Sequence, residues 1–331
     1  MRLSNHKIVC FGGGSAVPEL ILKPLKESGF SVVGITSMVD NGGSTGVLRR
    51  EFNILPAGDI RRHLLALAEC EQWKKKIWNF RFAKDIKLSP GHFGHNLANV
   101  FIAALEANYG FERTLEICHQ FLKVKGKALP ATLDKIQLVA ELEDGCFVEG
   151  EDEIDVGENH NRNKRIKRVF LKPEAKGYSK AIEQIKEADF LIFGPGDLYS
   201  SIIPCFLPKG ISEAIQNSKA KKIFICPAMT KLGETQGFSV LDLTREIEKY
   251  IKCSLDRVLY NNFLPEPQRI EEFKKKEQFL LEMVPFDKLP KNEKFIGKNL
   301  LLDKGEIKYD KEKLINALFV LFNQFGNEIK K

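Results

Sequence analysis

A short apolar run, Lys7 to Phe11, stops at three glycines, and a second run, Ser31 to Ser37, follows after one amphipathic helix. This order constrains the fold more than any other feature of the chain. The helix carries Leu20, Leu22 and Leu25 on its apolar side and ends near Gly29. A strand, a tight glycine turn, a helix and a second strand make a βαβ unit, whose two strands run parallel. The same rhythm returns late in the chain. A helix over 178–188, a strand Phe190 to Phe193, a helix near 210–218 and a strand Lys222 to Cys226 are expected. A helix near 240–251, a strand Arg257 to Tyr260 and a terminal helix through Leu314 to Phe322 complete it.

The middle of the chain reads differently. Residues 38–58 are expected as a long polar loop, with Asp59 capping a helix through Leu64, Leu65 and Leu67. Helices follow at 95–108 and 111–123. Leu129 to Leu133, Gln137 to Leu142 and Cys146 to Glu149 read as strands, with Asp144-Gly145 as a hairpin turn. The acidic stretch Glu149 to Glu158 and the basic stretch Arg162 to Arg168 read as an exposed hairpin or insertion. The expected fold is α/β: one domain over 1–331, with a doubly wound, mostly parallel Rossmann-like sheet and a small β-rich insertion at about 129–172.

The 331 residues are 43% hydrophobic and 29% charged, which fits a soluble globular chain. A net charge of +7 suits an acidic ligand but falls short of a nucleic-acid surface. The seven cysteines include no CxxC pair and read as reduced, mostly buried thiols. There is no apolar stretch of about eighteen residues and no cleavable apolar leader, so a cytoplasmic protein without membrane insertion is expected. A homodimer stays open.

Three loops leave the carboxyl ends of expected parallel strands, where open α/β sheets bind ligands. The first is Gly12-Gly13-Gly14-Ser15, with backbone N–H groups free to approach a phosphate. It is neither a Walker A loop nor GxGxxG. The second is Asp40-Asn41-Gly42-Gly43-Ser44, joined by Arg49, Arg50, Asp59, Arg61 and Arg62. Asp40 can hold magnesium or a ligand hydroxyl, and the arginines suit phosphate. The third is Gly194-Pro195-Gly196-Asp197 with Tyr199 and Ser200, beside Thr230, Glu234 and Thr235. Asn261 and Asn262 end a further strand. His92 and His95 read as helix-start hydrogen bonding rather than metal ligands. Such convergence suits a ligand of nucleotide size. The broken GxGxxG disfavours a dehydrogenase.

These residues resemble a known family. FGGGSAV, SMVDNGGSTGVLRREF, LPAGDIRR and GPGDLYSSIIP are similar to the CofD-like family's GGGTG, VADDGGSSGRLRREF, LPPGDIRN and GPGSLYTSIIP, and Gly91-His92, Asn96-Leu97 and Met229-Thr230 through Gly233-Glu234-Thr235 fit as well. Within that family the chain resembles the YvcK-type gluconeogenesis factors. The resemblance spans about residues 7–320. It implies a UDP-sugar-binding regulator tied to central carbon metabolism, cell-wall precursor supply and cell shape. Asn96 enters the expected site through this match. The alternative it implies is a magnesium-dependent transferase, with Asp40 on the ion, moving a phospholactyl-type group from a guanosine dinucleotide to a deazaflavin alcohol. Asn41 stands where the family pattern has its second aspartate.

Overall fold

The computed structural model describes residues 6–82, 87–89, 92–157, 159–277 and 279–328. Seven strands form one sheet: β1 Lys7–Phe11, β2 Ser31–Thr36, β3 Lys127–Pro130, β4 Phe190–Phe193, β5 Lys221–Ile225, β6 Arg257–Asn261 and β7 Phe295–Lys298. Their order across the sheet is β7-β6-β5-β4-β1-β2-β3, and every pairing is parallel. Strand β4 is apolar and buried at every position, and β1 from Ile8 onward, because both faces are covered. Along β1, Ile8 and Cys10 face one core while Val9 and Phe11 face the other.

Right-handed crossovers explain the two layers of helices. From β1 the chain winds outward through β2 to β3. This lays segment 18–27 and the helices Gly58–Leu67 and Phe111–Leu122 on one face, where the terminal helix Lys311–Glu328 joins them. From β4 it winds the other way to β6. The helices Ser179–Lys186, Ile211–Asn217 and Val240–Ile251 therefore cover the opposite face. The expected doubly wound sheet is present.

Three expectations change. Residues 38–58 are not all loop, since Gly43–Phe52 is helical. Its two glycines weaken helix propensity, yet Leu48 packs with Ile54 and Ala103 against the Leu97–Tyr109 helix. The strand expected at Leu129 to Leu133 is β3, a member of the main sheet beside β2. The small antiparallel sheet is Phe147–Glu149, Gln137–Leu142 and Ile166–Lys172, closed by the expected turn at Gly145. The acidic stretch is not an exposed hairpin. It forms a short helix, Glu151–Asp155, held down by buried Ile154. Strand β7 and the pair Met229–Lys231 with Leu280–Met283 were not foreseen.

No described helix is long and apolar enough to cross a membrane. Five of the seven cysteines are buried and none is bridged.

Glu106 of the Leu97–Tyr109 helix accepts the Leu55 N–H at 2.8 Å and so fixes the loop between two cleft helices. Burial pushes its carboxyl up to about 7, against the pull of that N–H and of Lys135. A carboxyl raised on folding binds its proton more tightly when folded. The stability it adds is full below about 4.5, its ordinary value, and is lost as pH rises toward about 7. Glu106→Gln keeps an acceptor for Leu55 and removes the charge. It should melt higher than the wild type at about pH 8 and lose that advantage at about pH 4, read by circular dichroism melting.

Candidate nucleotide site

The sheet order reverses between β1 and β4, and a crevice opens there at the carboxyl ends of the strands. It has three connected parts. A charged chamber of about 680 Å³ is lined by Asp40, Asp59, Arg61, Arg62, Arg81 and Glu151 among others. A neck of about 450 Å³ runs past Gly13, Gly14, Ser15, Gly196 and Asp197 to Lys231 and Lys308. The chamber and neck share Gly14, Val156, Asp197 and Ser201. Beyond the neck lies an apolar recess of about 450 Å³ between Leu20, Pro227, Met229, Leu302 and Ile307.

Two glycines exist because carboxylates press against their backbone. A Cβ on Gly13 would lie 2.1 Å from Asp59 Oδ2, and one on Gly58 would lie 2.4 Å from Asp40 Oδ2. Asp59 is therefore not a cap. It lies in the first turn of the Gly58–Leu67 helix and accepts the Gly14 N–H at 2.9 Å and Arg62 Nη1 at 2.6 Å. The Gly14 N–H expected for phosphate is thus already taken. Asp40 Oδ1 accepts the Gly42 N–H at 3.1 Å. Burial, then the charge of Asp59, pushes the Asp40 carboxyl up to about 6.

The Glu151–Asp155 helix covers the chamber. Asn41 Oδ1 accepts the Asp152 N–H at 2.9 Å and anchors its start. Arg162 anchors its end by donating to the carbonyls of Asp155, Gly157 and Leu232, and its guanidinium stacks over Phe279. Burial, then Asp40, holds Glu151 well above the usual carboxylate range. Lys231 reaches the same end of the helix. Its Nζ lies 2.8 Å from Asp197 Oδ2 and 3.4 Å from Glu234 Oε1, and it also bonds Asp155. Burial alone would lower this ammonium, but Asp197, Glu234 and Asp155 outweigh it and hold it above the ordinary lysine range.

Of the residues singled out in the sequence, Gly13, Gly14, Ser15, Asp40, Gly42, Gly43, Ser44, Asp59, Arg61, Arg62, Gly196 and Asp197 line the crevice. Others do not. Arg49 is spent on the carbonyls of Val39, Asp40 and Ile136, clamping the loop after β2 to the insertion. Gly12 and Gly194 shape the turns that leave β1 and β4. Tyr199 and Ser200 give their N–H groups to buried Glu234. Thr235 accepts the Lys231 N–H, and Thr230 is buried. Asn96 caps the Leu97–Tyr109 helix. Asn261 binds the backbone of Phe263 and Leu300, and the Asn262 N–H goes to Lys298. His95 Nδ1 meets Ser44 Oγ at 3.1 Å. Gly91 and the side chain of His92 lie outside the described residues.

Sequence reading missed Arg81, Asn99, Glu151, Asp155, Lys231 and Lys308. Asn99 Oδ1 and Arg61 Nε are buried at the chamber wall without a partner among the described residues. For Glu151 and Asp155 a signal existed: Ile154 and Val156 interrupt the acidic run with apolar side chains.

Gly13→Ala and Gly58→Ala should each destabilise the fold by about 1–3 kcal/mol, because the new methyl overlaps a carboxylate. Gly326→Ala, with open space around it in the terminal helix, should be neutral or stabilising by up to about 1 kcal/mol. Urea titration of the three variants checks this.

The chain is similar to known proteins along most of its length. The model of the CofD family, described as 2-phospho-L-lactate transferase CofD, matches residues 8–297. A gluconeogenesis factor of Listeria innocua is 38% identical over 261 residues, covering 78% of each chain. One of Bacillus subtilis is 38% identical over 259 residues, covering 77% of this chain and 78% of its own. A crystal structure of a Bacillus halodurans protein superposes with a TM-score of 0.84 at 32% identity, over 95% of this chain and 99% of that one. With its glycine-lined crevice at the sheet's switch point and these relatives along most of its length, the chain belongs to the CofD-like family, in the branch of the gluconeogenesis factors.

Proposed function

We propose that the chain is a regulator that binds a nucleotide sugar of the UDP-sugar type in the three-part crevice. The observation that carries this reading is the sequence of environments along one cleft. The apolar recess suits a base, the glycine-lined neck a diphosphate, and the charged chamber a polyhydroxylated sugar. Lys308 in the neck and Arg61, Arg62 and Arg81 in the chamber supply positive charge for the diphosphate. Asp40, Asp197 and the unpartnered Asn99 Oδ1 supply acceptors for hydroxyls. Links to carbon metabolism, cell-wall precursors and cell shape belong to the same proposal.

The same proposal puts magnesium on Asp40, with Glu151 in the same chamber. Asp40 is held above the usual carboxylate range by burial and then the charge of Asp59, and Glu151 by burial and then the charges of Asp40, Asp155 and Asp59. Such hard, under-compensated oxygens suit magnesium. Bound there, the ion would neutralise charge between the carboxylates and the diphosphate. Asn41 is turned to the Glu151–Asp155 helix and adds nothing to this donor set.

A second reading, a transferase, rests on the family match itself and on the raised carboxyl of Asp40 in the chamber. There the arginines would stabilise charge on the leaving nucleotide. Multiple turnovers of a guanosine-linked phospholactyl donor and a deazaflavin alcohol, lost in Asp40→Asn, would establish it over the regulator.

A UDP-sugar at a hundred times its dissociation constant should stabilise the fold by roughly 2.7 kcal/mol, seen as a thermal shift. A shift with NADH and none with UDP-sugars would refute the reading. Arg61→Ala should weaken binding by about 1.5–3 kcal/mol by calorimetry, the worth of charge-assisted bonds. Arg49→Ala should instead lower stability by a similar amount, about 1.5–3 kcal/mol, with affinity little changed.

A further inference from the structure

Asp155, Asp197 and Glu234 each present one carboxylate oxygen, and the three oxygens lie within 4.8 Å of one another. They come from three separate places: the helix over the chamber, the loop after β4 and the turn after Met229–Lys231. Three hard oxygens gathered in this way are what a divalent cation takes. Here a buried lysine stands among them. Lys231 Nζ contacts all three carboxylates, and an ammonium carries three hydrogens to give.

We infer that the Lys231 ammonium takes the place of a divalent cation in this cluster, so that the wild-type chain binds no metal there and loss of the lysine charge opens a metal site. The geometry supports this beyond the count of acids. A metal ion within reach of the three oxygens would sit against Nζ, and two like charges at that separation repel strongly. Nζ is held in place by its three carboxylate partners, on a side chain only 11% exposed. Glu234 is held in turn. Its Oε2 accepts the Tyr199 and Ser200 N–H groups at 2.8 and 3.2 Å, and its Oε1 accepts Ser200 Oγ at 2.9 Å. The Glu234 carboxylate is therefore fixed by the backbone before any cation arrives. Lys231 acts as a positioning residue. It holds Asp197 at the junction of chamber and neck and ties the Glu151–Asp155 helix over the crevice. This cluster is distinct from the Asp40 side of the chamber, and the inference does not depend on which nucleotide binds.

Manganese ion alone, titrated into the full chain by calorimetry and followed by electron paramagnetic resonance, tests it. Whatever manganese the wild type binds should be unchanged by Asp197→Asn. Lys231→Gln should gain one further equivalent per chain, and Lys231→Arg should gain none. The extra equivalent should vanish when Asp197→Asn and Glu234→Gln are added to Lys231→Gln. Wild-type manganese binding that falls in Asp197→Asn would overturn the inference. So would a folded Lys231→Gln without the added equivalent. If Lys231→Gln is unfolded in chelator, recovery of its circular dichroism and cooperative melting in saturating manganese supports the inference. No recovery refutes it.

Discussion

The crevice hangs on one contact, the carboxylate of Asp59 pressed against the backbone at Gly13 and Gly14. The contact joins the end of β1 to the helix Gly58–Leu67, 45 residues further along the chain. It sets the depth of the neck, because the helix cannot withdraw without breaking the bond to the Gly14 N–H. It also orders the rest of the wall. Arg62 is drawn to Asp59, Gly58 is left bare beneath Asp40, and Arg61 is brought to the chamber wall with Nη1 on Asn79. A side chain at position 13 or 58 removes the space on which each of these depends.

Charge is the second organising term. The chamber collects more acids than arginines, and burial makes that costly. The chain offsets the cost in two ways. Lys231 offsets part of the far cluster's charge from within, while Arg62 pairs with Asp59 and Arg61 and Arg81 line the same chamber. Burial lowers the Arg61 guanidinium to about 10, with Arg62 and Arg81 adding to the effect against the pull of Asp59 and Asp40. It stays charged at neutral pH. The Asp40 side sets three arginines against Asp40, Asp59 and Glu151, while the Asp197 side has the one lysine among three carboxylates.

What the sequence made legible follows from locality. The glycine turn after β1, the helix after it and the alternating rhythm from 178 to 260 are local patterns, and the sheet they specify is the one that forms. The crevice loops were legible for the same reason, since each directly follows a strand. Roles set by distant partners were not. Arg49 reads as a phosphate ligand until Ile136, 87 residues away, is seen to accept its guanidinium. Thr235 and Ser200 look like ligand hydroxyls, yet one serves the backbone of Lys231 and the other buried Glu234. Lys231 gives no local sign at all, because its three partners are gathered only by the fold.

Asn41 shows how such a distant partner changes the meaning of a substitution. Beside the family's paired aspartates, an amide looks like a lost ligand for a cation. In the fold its oxygen instead accepts the Asp152 N–H in the first turn of the helix that covers the chamber. An aspartate could accept the same bond, but it would add a negative charge next to Asp152 and close to Asp40, whose carboxyl is already pushed up to about 6. The amide keeps the hydrogen bond without that repulsion. Position 41 therefore bears on the crevice through the cover and not through the ion, and the charge balance of the chamber is left to Asp40, Asp59 and Glu151 against the three arginines.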